Sequence, residues 1–241
     1  AGIHNERLAE ELSKSIEERD QTVVNQNQDE YVAVKIRELT EAARIFGITD
    51  VRNLNFPDAP FRLDANLEAV EKVRDVILDI RPHVLISDSP FLKGTHGLGS
   101  TTWDDHRETG KTAIEARLRA AAAHFGDDRP PHRIAATYFP GVYFQQDYWD
   151  FAVDTSDWYK QRVEAEAKFV SQGHTPEFAT RRIQVGPGHV GWVFGTSYAE
   201  AFVRDKPELQ TEIMISELAL RHSEESPVTH LQRLAGELPK S

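Results

Sequence analysis

The sequence predicts an α/β protein, a mainly parallel sheet flanked by helices, and three observations lead there. Segments with apolar residues at helical spacing alternate with short apolar runs. One of those runs, Val84-Leu85-Ile86, is apolar throughout rather than at every second position, which is the pattern of a strand covered on both faces. The segment Trp103-Asp104-Asp105-His106 then places carboxylates and an imidazole between that strand and a strongly helical run, and the end of a strand is where α/β proteins build reactive sites.

Residues 1–28 are polar and charged without a strand pattern, and the charge-rich run 10–20 reads as a solvated helix face. Residues 31–46 carry Val32, Ile36, Leu39, Ala43 and Phe46 at the spacing of a helix with one buried face, ended by Gly47. Residues 50–56, with Val51, Leu54 and Phe56, fit a short strand. Residues 67–80 repeat the helical spacing at Val70, Val73, Ile77 and Ile80, closed by Arg81-Pro82. The buried strand over 83–88 follows, then a helix over 108–125, strands over 133–139 and 151–154, and a helix from Ser156 to about Ser171. The Gly-rich stretch 186–195 reads as a loop. No internal repeat is visible. Residues 1–217 are expected to form one α/β domain and 218–241 a peripheral tail, helical near 228–238. The first strand candidate arrives only near residue 51, so the expectation is a sheet whose first strand or strands are missing from this chain.

Composition narrows the chemistry. The 241 residues suffice for a sizeable core. With 39 acidic against 28 basic residues the net charge is -11, which argues against nucleic acid or an anionic membrane as partner and favours a small-molecule substrate. There is no Cys, so disulfides, thiolate metal sites and thiol nucleophiles are excluded, and any metal must sit on His, Asp or Glu. No long apolar run and no signal-peptide pattern is present, so a cytoplasmic location is expected. A His and an Asp two or three residues apart can share a divalent ion, but one imidazole alone cannot hold it, and further ligands are not obvious in the chain.

An ordered set of segments carries a resemblance: Ile36 through Ile48, Leu54 through Asp58, Arg81-Pro82-His83-Val84, Asp105-His106-Arg107, Lys160, Ser171-Gln172 and Tyr198-Ala199-Glu200-Ala201-Phe202. Together, over roughly residues 30 to 205, they resemble the PIG-L/LmbE superfamily of zinc-dependent N-deacetylases. The resemblance implies a Rossmann-like fold and hydrolysis of an N-acetyl group, typically on an N-acetylglucosamine-type sugar. In that family the metal is held by a His and an Asp from an N-terminal His-Pro-Asp-Asp motif and by the last His of a later His-Pro-Asp-His motif. Here the later motif aligns with Trp103-Asp104-Asp105-His106. His106 is therefore the implied ligand for zinc, with another divalent metal as an alternative, and Asp105 the carboxylate that orients it or acts in catalysis. The first motif is absent, and with it two ligands and the general base; since Ala1 through Glu6 resemble a loop that follows the second strand in such enzymes, the motif is expected upstream of Ala1. The similar-looking 123–128, Ala-His-Phe-Gly-Asp-Asp, follows a helix rather than a strand and is set aside.

Trp103 stands where the family carries a His that steadies the oxyanion or protonates the leaving amine, and an indole cannot exchange a proton at neutral pH. His96 and His189, both in expected loops, are the candidates to replace it. Arg107 and Glu200 are candidates for substrate binding, Glu200 on an expected short helix. Some relatives are hydratases of unsaturated dicarboxylic acids, such as 4-oxalomesaconate hydratase, and lack the full later motif, so a hydratase or lyase is the second reading; a dicarboxylate would want two or more Arg or Lys at the mouth. A metal-free relative that has lost the site is the third. Structural readings stand beside these: Asp105 with Glu108 also fits a capping-box helix start, and His106 an ordinary first-turn histidine. Family practice and mixed-sign surface helices suggest a homo-oligomer.

Overall fold

The computed structural model describes residues 6–54, 56, 67–90, 105–123 and 126–237. The chain divides into two compact units, one of Ala1–Asp58 and Trp158–Gly186, the other of Ala59–Asp157 and Pro187–Ser241.

The first unit is helical among the described residues. It contains α1 (Glu6–Ser13), α2 (Gln21–Val24), α3 (Gln28–Ile45), α6 (Tyr159–Glu166) and the first part of α7 (Pro176–Phe194). The Asn27 side chain caps α3 by accepting from the Asp29 amide, and Asp29 and Glu30 in the first turn oppose the positive end of the helix dipole. Gly47 takes the left-handed φ of +75° just beyond its end. The buried side of α3 includes Tyr31, Ala42 and an acid, Glu38. A buried carboxylate needs partners, and Glu38 has them: it accepts from the Ser171 amide at 2.8 Å and the Ser171 hydroxyl at 2.6 Å. The Tyr31 hydroxyl donates to the Ser171 carbonyl at 3.4 Å. Two segments of the family resemblance, 36–48 and 171–172, thus meet in space to seat the turn after α6 on α3. His174 is similarly placed, 3.1 Å from Glu166 Oε1 and between the rings of Phe169 and Phe178.

The second unit holds the sheet. Its described strands are β1 (Val84–Ile86), β2 (Ala136–Pro140), β3 (Phe151–Asp154) and β4 (Ala199–Arg204), in the order β1-β2-β4-β3. β1 and β2 are parallel, with Val84 opposite Ala136 and Ile86 opposite Tyr138; β4 runs antiparallel to both β2 and β3. β1, β2 and β3 therefore all point their carboxyl ends the same way. Phe139, in the centre of β2, is fully buried. Rings gather beside it, Tyr138 edge-on to Phe151 at 5.3 Å and Phe151 stacked on Phe202 at 5.5 Å.

Helices α4 (Leu67–Ile80) and α5 (Asp105–Ala120) pack on each other through Val70, Ile77, Leu78, Ala116 and Ala120. The alanines let the two backbones approach closely. Arg74, buried on α4, is paired with Asp127 and lies 3.3 Å from Glu71, while Arg129 holds the same Asp127 at 2.8 Å. These two guanidinium groups hold the Asp127 carboxyl well below its ordinary range. Beyond β4 come α8 (Glu217–Ser223) and α9 (Pro227–Leu234), capped by Ser216 and Ser226. They are fastened by Arg233, whose guanidinium donates to Glu225 at 2.6 Å and whose carbonyl accepts from the Ser197 hydroxyl at 2.6 Å.

The α/β class holds, and α4 and β3 have the boundaries that spacing predicts. Other elements differ. Residues 50–54 and 56 form no strand, and the helix expected over 156–171 is α6 with short 3-10 turns on either side. The expected loop 186–195 is instead the end of α7, which runs to Phe194 and contains Pro187. One glycine there serves close packing rather than a turn: a Cβ on Gly191 would lie 2.6 Å from the Ser197 carbonyl carbon. Residues 199–204 are strand, not helix, with Ala199 and Ala201 buried at every second position.

Replacing Phe139 with Ala is expected to cost about 3–5 kcal/mol, since it empties the centre of β2; urea unfolding checks this, and a loss under about 1 kcal/mol would contradict the packing. A second expectation concerns pH. Burial, followed by the nearby Arg233, lowers the His222 pKa from its ordinary 6.5, and the Arg233 hydrogen bond lowers that of Glu225. Both groups then bind protons more readily when unfolded. Their contribution to holding 217–237 is present above pH 6.5 and falls with acidification, first through His222 and then, below the ordinary carboxylate value, through Glu225. Amide exchange in α8 and α9 should accelerate from about pH 7 to about pH 4 after correction for intrinsic rates, and less so in His222→Gln.

Candidate functional site

β1 ends at Ile86, but the Ser87 amide still donates to the Tyr138 carbonyl at 3.2 Å, so the chain keeps its register for one more residue before Asp88 emerges beyond the carboxyl end of the sheet. α5 starts at Asp105 and carries His106 in its first turn. One turn on, Gly110 has no side chain to separate α5 from the segment after β1: a Cβ there would lie 2.5 Å from the Asp88 carbonyl oxygen and 2.8 Å from the Pro90 nitrogen. That contact brings His106 Nδ1 to 3.8 Å from Asp88 Oδ1. The distance is that of an ion pair rather than a direct hydrogen bond. Both side chains reach solvent, at 42% and 26% exposure.

Arg107, the next residue, is one-fifth exposed, with Nη1 4.0 Å from Glu108 Oε1. Its Nε is buried and makes no hydrogen bond among the described residues. Glu108 turns the other way from His106 on the helix and pairs with Lys111.

Glu200 reaches the same end of the sheet from another strand. It lies opposite Val153, two residues before Phe202, which itself faces both Pro140 and Phe151. β4 is separated from β1 by one strand, so Asp88 and Glu200 project from rows about 10 Å apart. His189 is exposed on α7. The loop assignment that offered it as a reaching catalyst is thereby corrected. His96 and the Asp105 side chain lie outside the described residues, as does Trp103. Arg182, a potential anchor for an anion, pairs with Glu166 at 3.0 Å. In the set-aside 123–128 segment Asp127 is already engaged by two arginines. Sequence reasoning passed over Asp88; the signal available was its position just past a strand apolar on both faces.

Among the described residues no group of three or more His, Asp or Glu could hold a metal ion. His106 and Asp88 supply two donors, short of the three protein ligands a catalytic zinc requires. The described residues alone therefore do not fit the zinc centre that the family resemblance implies. Among them, also, no helix is long and apolar enough to cross a membrane.

The model of the PIG-L family, described as GlcNAc-PI de-N-acetylase, matches residues 6–117. This bears out the resemblance over that segment, which contains α1 to α4, β1, most of α5 and the Asp88–His106 pair. No curated protein matches the chain significantly. Among solved structures, a conserved protein of Thermus thermophilus is similar at 24% identity and a TM-score of 0.57, over 74% of this chain and 76% of that one. GalB, the 4-carboxy-2-hydroxymuconate hydratase of Pseudomonas putida, aligns at 19% identity and a TM-score of 0.64, over 86% and 81%. N,N'-diacetylchitobiose deacetylase of Pyrococcus horikoshii aligns at 19% and 0.62, over 77% and 67%. At these identities the likeness is one of fold.

Gly110→Ala should push α5 off the 88–90 segment. A stability loss of about 1–3 kcal/mol is expected from the overpacking, together with a changed chemical shift of the His106 ring in NMR spectra. Wild-type stability with an unchanged ring signal would show that the close approach does not set the pair.

Proposed function

With residues 6–117 matched as PIG-L, we propose that this protein is a hydrolase of the N-deacetylase or amidase type, removing the N-acetyl group from an N-acetylglucosamine-type or related small substrate. The observation that carries the reading is the Asp88–His106 pair inside that segment, at the carboxyl end of the parallel strands. In such a reaction water adds to the amide carbon, the carbon–nitrogen bond breaks, the amine leaves with a proton, and acetate is released. On this reading Asp88 holds the His106 ring in orientation, and Asp105 either helps to orient it or handles the proton of the attacking water. Arg107 and Glu200 contact the substrate, and His96 is the candidate to deliver the amine's proton in place of the residue where Trp103 stands, the loop reach that favoured His189 having given way to its place on α7.

Metal dependence belongs to the proposal, zinc first, with His106 as a ligand; a full ligand set is not among the described residues. A second reading, hydration of an unsaturated dicarboxylic acid, has the likeness to the hydratase GalB and Trp103 in its favour. The two reactions need different neighbours, neutral hydrogen-bonding groups for a sugar and two or more cations for a diacid.

The test is metal content of the purified protein together with acetate release from N-acetylglucosamine derivatives, for wild type and His106→Ala. Near-stoichiometric zinc and acetate release, both reduced by about 10–100-fold or more in the variant, are expected. Turnover of an unsaturated diacid without acetate release would replace the first reading with the second. No metal and no turnover of either substrate would overturn both.

A further inference from the structure

At the opposite end of β2 from Asp88 the second unit contains a cleft of about 760 Å³, between the last turns of α5, the chain entering β2 and the chain leaving β4. Arg117, on its wall, lies three turns along α5 from His106, about 16 Å away along the helix axis. The proposed hydrolysis does not use this place.

Four cations line the cleft: Arg117, Arg133, Arg204 and Lys206. Two of them are neutralised within the protein. Arg117 Nη1 lies 2.7 Å from Asp205 Oδ2, and Arg204 Nη1 lies 2.5 Å from Glu208 Oε2. These two carboxylates are the acids of the lining. Arg133 and Lys206 have no ion-pair partner among the described residues. Two uncompensated positive charges thus border one concavity of a chain whose net charge is -11. The remaining lining is largely apolar, with Leu118, Ile134 and Tyr138 on the walls and Leu209, 98% exposed, at the edge. A planar guanidinium binds a carboxylate or phosphate by two parallel hydrogen bonds, an ammonium adds a point charge beside it, and apolar walls favour a ligand with a hydrocarbon body.

We propose that this cleft binds a small organic dianion, a compact oxyanion group carried on an apolar body, through Arg133 and Lys206. A phosphate monoester and an aromatic dicarboxylate share this chemistry, and the two are separated by experiment.

The probes are phenyl phosphate, phthalate, inorganic phosphate and benzyl alcohol, titrated calorimetrically into the full chain. One of the two organic dianions is expected to bind with a dissociation constant below about 1 mM, and the tighter one identifies the oxyanion class. The affinity should fall at least about tenfold in R133A/K206A, persist in H106A, and be absent for benzyl alcohol. Because neither side chain has an ion-pair partner among the described residues, the double variant is expected to unfold at the wild-type midpoint; if it does not fold, R133Q/K206Q, which removes the charges but keeps much of the side-chain length, takes its place. Three results would overturn the proposal: no saturable binding of either dianion at about 10 mM, equal binding in the double variant, or inorganic phosphate binding as tightly as the organic anions. Loss of binding in H106A would also overturn it, by assigning the anion to the Asp88–His106 end. That outcome is separate from failure of the hydrolase reading, which is decided by acetate release.

Discussion

The contact on which the candidate site depends is the seating of α5 directly on the backbone that follows β1. A helix and a strand cannot approach this closely through ordinary side chains, and Gly110 removes the one that would intervene. The placing of α5 at the carboxyl end of the sheet follows from that approach. It fixes where the helix begins relative to the strand, and so which first-turn residue meets Asp88. It also commits the rest of α5: with its amino end held over 88–90, its later turns present Ala116 and Ala120 to α4 and Arg117 to Asp205. One backbone contact therefore sets the register of the helix against both the sheet and its neighbouring helix.

The first unit solves a different problem with equally few residues. Glu38 is buried, and an ionised carboxylate out of water is tolerated only where donors meet it. Ser171 supplies two, from its amide and its hydroxyl. The polar pair joins positions far apart in sequence and gives the turn after α6 a defined address on α3, which apolar contacts alone would specify less sharply. Segments that looked like family markers in the sequence are, in part, a structural latch.

How much of this was legible beforehand follows from the range of the forces involved. α4 and β3 were readable because local periodicity and their own end signals, Arg81-Pro82 among them, determine them. α7 was not: its first half drew no assignment, and glycine and proline at 186–188 argue locally for a loop, whereas the helix continues to Phe194 with Gly191 packed on Ser197. β4 was misread as helix because Ala199-Glu200-Ala201 has strong helix formers, and pairing with β2 and β3 on both sides overrides that preference. At the site, His106 could be named from its motif. Its partner could not, since a carboxylate in Ser-Asp-Ser-Pro carries no pattern of its own and acquires meaning only when a helix is laid beside it.

The reversed direction of β4 has a kinetic corollary. Asp88 and His106 sit eighteen positions apart, a loop that chain diffusion closes readily, whereas Glu200 joins them only after a strand from the last fifth of the chain has inserted between β2 and β3. During synthesis the imidazole–carboxylate pair and its helix can form before β4 has been made. Until β4 arrives, β2 and β3 each present, among the described strands, an unpaired edge able to accept a strand from another molecule. Among the described strands β4 is the last in sequence, so its arrival decides how long the nascent sheet is exposed to the wrong partner.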